Sequence, residues 1–186
     1  MRFGLSLLLL AATVSISWAQ LPTYGLGKTP SKEELQAWDI AIGPEGKELP
    51  PGRGTAKDGA KVYAQWCATC HGPTGTEAKF HWGVLVGGKG TLTSTAPVET
   101  VGSYWPYATT LWDFINRAMP RGKEGVLTAD QLYGVTAWIL WRNGIVKEDE
   151  VMDAKTLPKV RMPNQDGFIP PVKEIRRWRC PRGVCP

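Results

Sequence analysis

The pentapeptide Cys67-Ala68-Thr69-Cys70-His71 constrains this chain more than any other feature. Thiols at i and i+3 fall on one side of a short helical turn, and a histidine directly after the second lies beneath any flat group that both sulfurs hold. This is the attachment signature for haem c: each sulfur adds to one of two neighbouring vinyl groups, and His71 offers its imidazole to the iron. The spacing therefore predicts one haem c, covalently bound through Cys67 and Cys70. A structural zinc site needs four ligands, and no second Cys/His pair stands at finger spacing. A redox dithiol of the thioredoxin type needs a strand before it and a βαβ context, and neither is legible.

The N-terminus points to an oxidising compartment independently. Arg2 precedes an apolar run from Phe3 to Ile16, and Ser17-Trp18-Ala19 before Gln20 has the small-residue pattern of a cleavage site. Residues 1–19 are expected to be a signal peptide cleaved after Ala19, which makes the mature protein periplasmic or otherwise exported. No later stretch is long and apolar enough to span a bilayer, so the mature chain is expected not to be membrane-spanning. Its 167 residues suit one domain with extensions. The full chain carries 22 basic and 17 acidic side chains, a net +5. That mild excess can steer a partner, but the basic residues form no cluster with interleaved aromatics near the haem motif, so no nucleic-acid partner is expected. Cys180 and Cys185, with Pro and Gly between them, suit a small terminal disulfide loop.

Local signals divide the rest. Ser31-Lys32-Glu33-Glu34 is a capping box that opens a short helix through Trp38, followed by a Gly- and Pro-rich loop. From about Lys57, the spacing of Gly59, Val62, Tyr63 and Trp66 predicts a helix running into Cys67. Residues 72–102 read as a long wrapping loop in which Trp82, Val84, Leu85 and Val86 can cover a buried porphyrin. A second helix is predicted from Thr109 or Thr110 to Ala118, with Asp113 in its first turn; Pro120 ends it and forces Met119 off the helical backbone. Thr128-Ala129-Asp130-Gln131 is a second capping box, with Leu127 and Leu132 placed as a staple, and Asn143-Gly144 supplies the stop. The expected division is residues 20–55 as an N-terminal extension, 56–146 as the haem domain and 147–186 as a C-terminal extension wrapping it.

A helix into Cys-x-x-Cys-His, a Met-Pro on a loop and a closing helix resemble the class I cytochrome c pattern. The resemblance implies an all-α class I cytochrome c fold, helices around a covalently bound haem, with the two extensions added. It also implies Met119, 48 residues after His71, as the distal thioether ligand opposite His71, and a close approach of Gly59 to an aromatic of the last helix, Trp138. A narrower resemblance covers roughly Tyr24 to Phe168. It is carried by Tyr24-Gly25-Leu26-Gly27, Ala37-Trp38-Asp39-Ile40, Leu49-Pro50-Pro51-Gly52, Leu85-Val86-Gly87-Gly88, the run Thr100 to Leu111, Arg117-Ala118-Met119-Pro120, Asn143-Gly144-Ile145 and Met162-Pro163-Asn164. These segments are similar to those of the monohaem cytochrome c subunits of bacterial sulfite and sulfane dehydrogenases, which accept electrons from a molybdenum-cofactor subunit.

The resemblance implies an electron carrier rather than a catalytic subunit, with a molybdenum-cofactor sulfite or sulfane dehydrogenase as donor and a downstream cytochrome or oxidase as acceptor. Tyr104 and Trp105, with Tyr107, are expected to hydrogen-bond the haem propionates, and Arg117 or Arg121 to neutralise them. Class I proteins usually orient the haem histidine through a proline carbonyl, and the chain offers only Pro73 and the distant Pro97. Met162, also followed by Pro, competes with Met119 as the distal ligand, and His81 is the only other histidine. A stand-alone shuttle of another respiratory chain is the alternative partner reading. A haem enzyme or sensor with an open iron position is the alternative chemistry.

Overall fold

The computed structural model describes residues 24–77 and 83–168. Residues 1–19 (expected to be a signal peptide), His81, Trp82 and the Cys180/Cys185 pair lie outside the described residues. The chain divides into two units at Asp39/Ile40. The first holds α1 (Lys32–Trp38), whose capping box is complete: Glu34 N–H donates to Ser31 Oγ (3.1 Å) and Ser31 N–H donates to Glu34 Oε2 (2.7 Å). None of its residues is buried.

In the second unit the order is β1 (Arg53–Gly54), α2 (Ala56–Trp66), the single turn α3 (Ala68–His71), α4 (Ala108–Ala118), α5 (Ala129–Arg142), β2 (Met152–Asp153) and a 3-10 turn at Leu157–Lys159. Two of the long helices, α2 and α5, begin at side-chain caps. Thr55 caps α2 in a capping box with Asp58, and Thr128 caps α5 in one with Gln131, so the otherwise orphaned N–H groups of both first turns are satisfied. Leu127 and Leu132, flanking the second cap, are both buried. α4 starts one residue earlier than its pattern suggests, at Ala108, which places Asp113 beyond the first turn. Asp113 is buried instead. Its Oδ1 accepts from Ile42 N–H (3.0 Å) and from Arg117 Nε–H (2.9 Å), so it ties α4 to the segment before β1 rather than serving the helix dipole.

α2 and α5 cross at their glycines. A Cβ on Gly59 would lie 1.9 Å from Gly134 O, and one on Gly54 would lie 2.5 Å from Gly134 N. The sequence reading paired Gly59 with Trp138; the structure corrects this, because Gly59 meets the backbone of Gly134. One turn further on, Trp138 stacks on Tyr63, ring centroids 3.6 Å apart at 24°. With the backbones touching, the next pair of side chains is brought face to face. α5 is buried continuously from Leu132 to Leu140, which is why its apolar residues show no single face: α2 covers one side while α4 and the returning tail cover others.

The tail is recruited by a short ladder that has no sequence signature. Arg53 pairs with Asp153 and Gly54 with Met152, antiparallel, and the tail then inserts Met152, Leu157 and Met162 into the core, each at most 1 % exposed. Tyr133 anchors the other end of this region by donating its hydroxyl to Pro50 O (2.8 Å). Burial pushes that phenol up to about 12, so it remains a donor at any physiological pH.

Replacing Gly59 by Ala is expected to force α2 and α5 apart and to cost about 1–3 kcal/mol, the usual range for overpacking a tight core contact. Urea unfolding followed by circular dichroism measures it; an unchanged midpoint would show that the crossing can relax without loss.

Candidate haem site

α2 delivers the motif. Cys67 ends the helix, its N–H donating to Tyr63 O (2.8 Å), and Cys67 O then accepts from both Cys70 N–H (3.1 Å) and His71 N–H (3.0 Å), winding the four residues after it into α3. Tyr63 closes the turn from inside: its hydroxyl donates to Gly72 O (2.9 Å) while its ring lies on Trp138. Burial is the main cause that raises the Tyr63 phenol well above its ordinary range, so it keeps the proton it donates.

The two thiols differ. Cys70 is exposed and Cys67 is half-buried against the core, and they are not bridged to each other. Burial, reinforced by the neighbouring Cys70, pushes the Cys67 thiol up to about 12. A dithiol redox centre or a zinc thiolate depends on a depressed thiol. The buried Cys67 does the opposite, which suits an uncharged thioether at that sulfur.

His71 Nδ1 lies 2.5 Å from Gly83 O. A carbonyl only accepts, so Nδ1 carries the proton and Nε2 keeps the lone pair that a metal needs. The acceptor is therefore neither Pro73 nor Pro97 but Gly83, the residue from which the loop turns back toward the core. That loop is held in place: Leu85 N–H and Val86 N–H both donate to Gly75 O (2.9 and 3.0 Å). Nothing in the residue type marks Gly83 as an acceptor, because any backbone carbonyl would do once the loop is folded over the histidine.

Met119 follows α4 on extended backbone (φ −134°, ψ 146°), as the following proline requires. It is half-buried and packs against the same core as Cys67, Ala68, Leu85 and Trp105. Met162 is 1 % exposed and enclosed in that core. Trp105 is half-buried with its ring edge-on to Phe114, centroids 5.5 Å apart at 87°. Tyr104 is exposed, edge-on to Phe168, and its backbone O accepts from Asn164 Nδ2 (2.8 Å). Arg117 is engaged by Asp113 in a two-point ion pair on α4, which leaves Arg121 as the neighbouring exposed arginine. Two further cations cover the rings nearby: Lys123 Nζ lies 5.5 Å from the Trp66 centroid, and Arg142 Cζ lies 5.7 Å from both Trp138 and Trp141. The Lys123–Trp66 pair joins a loop to α2, while Arg142 covers rings of its own helix, α5.

Among the described residues no cluster of three or more His, Cys, Asp or Glu side chains could hold a metal ion. One imidazole with a fixed tautomer, two cysteines and a half-buried thioether instead fit an iron that arrives with four nitrogens of its own. The residues present thus suit haem c, with Cys67 and Cys70 to hold the ring and His71 to bind its iron.

Comparison with known proteins gives the same answer. The family described as cytochrome c oxidase, cbb3-type, subunit III matches residues 54–139. A chain in the crystal structure of the sulfane dehydrogenase SoxCD from Paracoccus pantotrophus is 38 % identical, the alignment covering 88 % of this chain and 83 % of that one with a TM-score of 0.72. No curated protein sequence matches.

Replacing Cys67 by Ser should leave one thioether and one unreacted vinyl group, moving the α-band of the pyridine haemochrome to longer wavelength. A band at the wild-type position would remove Cys67 from the attachment.

Proposed function

We propose, for a chain that belongs to the c-type cytochromes and carries one covalently bound haem c, that it is the electron-accepting subunit or partner of a molybdenum-cofactor dehydrogenase acting on sulfite or sulfane sulfur, located in the periplasm. The observation that carries the partner is the 38 % identity over 88 % of the chain to the sulfane dehydrogenase structure. The resemblance carried by the run Thr100 to Leu111 and by Arg117 to Pro120 supports it.

The bound haem supplies a one-electron Fe(III)/Fe(II) couple. The protein's part would be to hold the iron-binding side chains still while the charge changes. His71 would bind the iron, its ring fixed by Gly83 O. Met119 would supply the thioether: its side chain is half-open on a non-helical segment, whereas the Met162 thioether is enclosed by protein and has no free side to offer. A neutral thioether favours the ferrous state, which suits a carrier that takes electrons from a sulfur dehydrogenase. Trp105, packed on the same core as Met119, and its exposed chain neighbour Tyr104 would be donors for the propionates. Arg117, committed to Asp113, contributes a weakened charge there, and Arg121 a full one.

Two measurements test the reading. Met119→Leu should abolish the near-infrared thioether band of the ferric protein and lower the midpoint potential, while Met162→Leu should keep the band and cost less than about 1.5 kcal/mol of stability. Loss of the band in the Met162 variant alone would reverse the assignment. Second, the haem should be reduced on the turnover timescale by a molybdenum sulfite or sulfane dehydrogenase with its substrate. A high-spin haem that binds carbon monoxide and is not reduced would make the protein a sensor or enzyme instead.

A further inference from the structure

We propose that Asn143 is the positioning residue for the haem histidine, acting on His71 through the loop at residues 83–88. The proposal rests on His71 as an iron ligand. Asn143 ends α5, and its Nδ2 donates to Ile139 O (2.9 Å), which would be enough to close the helix. The same amide does more. Nδ2 also donates to Leu85 O (3.1 Å), and Oδ1 accepts from Gly87 N–H (3.0 Å). Only one orientation of the amide gives two carbonyls a donor and one N–H an acceptor, so the assignment of oxygen and nitrogen is unambiguous.

The two loop bonds fall on the segment that supplies the histidine's acceptor. Gly83 O, two residues before Leu85, takes the His71 Nδ1–H at 2.5 Å. On the opposite side, Gly75 O holds Leu85 and Val86, and Thr100 Oγ1 donates to Gly87 O (2.6 Å). Asn143 is the side chain that joins this loop to α5, the helix locked across α2 at Gly134. The imidazole is thus referenced through one amide to the crossing where the backbones of α2 and α5 touch.

A second observation concerns Gly102. A Cβ there would lie 2.1 Å from Asn143 Oδ1 and 2.6 Å from its Cγ, while the backbone of Gly102 is not in the left-handed region. The glycine is required for space alone. The chain keeps that space for this amide.

Hydrogen bonding at Nδ1 makes the ring a stronger donor to iron and so favours the ferric state. Loosening the loop weakens that bond and shifts the couple toward ferrous. In the haem-loaded protein, Asn143→Ala and Gly102→Ala should each favour the ferrous form threefold to tenfold, about 30–60 mV upward for one electron. Both should also speed exchange of the His71 Nδ1 proton, followed by NMR in the reduced protein, by roughly tenfold, as expected for a hydrogen bond weakened by about 1.4 kcal/mol. Thr128→Ala, which removes the cap at the other end of α5, is the stability control: it should lower the unfolding temperature and leave the potential and the proton unmoved. If both test variants match the control, Asn143 is a helix cap and nothing more. Should Asn143→Ala fail to load haem, Gly102→Ala decides alone, and a wild-type potential there overturns the proposal. A wild-type spectrum without a low-spin, histidine-ligated haem would instead overturn the ligand reading itself.

Discussion

Backbone touches backbone where α2 crosses α5 at Gly59 and Gly134, and the other placements follow from that contact. It brings Tyr63 under Trp138, and Tyr63 in turn holds the turn after the cysteines through Gly72 O. It also leaves α5 surrounded, which is why the helix is apolar on every side and why the tail must return to finish covering it. A short ladder at Arg53–Asp153 and Gly54–Met152 makes that return possible, because Gly54 can lie against Gly134 only without a side chain.

The site inherits this rigidity from two directions. Cys67 comes from the end of α2, and Cys70 and His71 from the turn beyond it. The carbonyl that orients His71 comes from a loop with no regular structure, held by Gly75 on one side and Asn143 on the other. An electron carrier gains from such bracing, since a ligand set that does not rearrange leaves little structural change to accompany each electron. The raised Cys67 thiol belongs to the same picture: that sulfur sits where charge is disfavoured, so an uncharged thioether suits it better than a thiolate.

Much of this was legible beforehand, for identifiable reasons. Capping boxes at Ser31 and Thr128 and the Met119-Pro120 step act within three or four residues, and the structure places those helix ends where the local chemistry puts them. The expectation for Asp113 failed because burial against Ile42 and Arg117 outweighed a dipole preference worth a fraction of a kcal/mol. Gly59 was recognised as a close-approach residue, but its partner was misjudged by one turn of α5. A sequence shows that a glycine makes room and not which atom occupies it.

Alone, the sequence determined the haem attachment, the helices and their caps, and the class of chemistry, since each depends on residue identity at short spacing. Tertiary structure decided what touches the site. Gly83 as acceptor for His71, Asn143 as the clamp on its loop, the bond of Asp113 to Ile42 N–H and the burial of Met162 all depend on residues far apart in the chain or on its backbone. Backbone carbonyls are the same at every position, so no pattern of side chains could have singled out the one that faces the histidine.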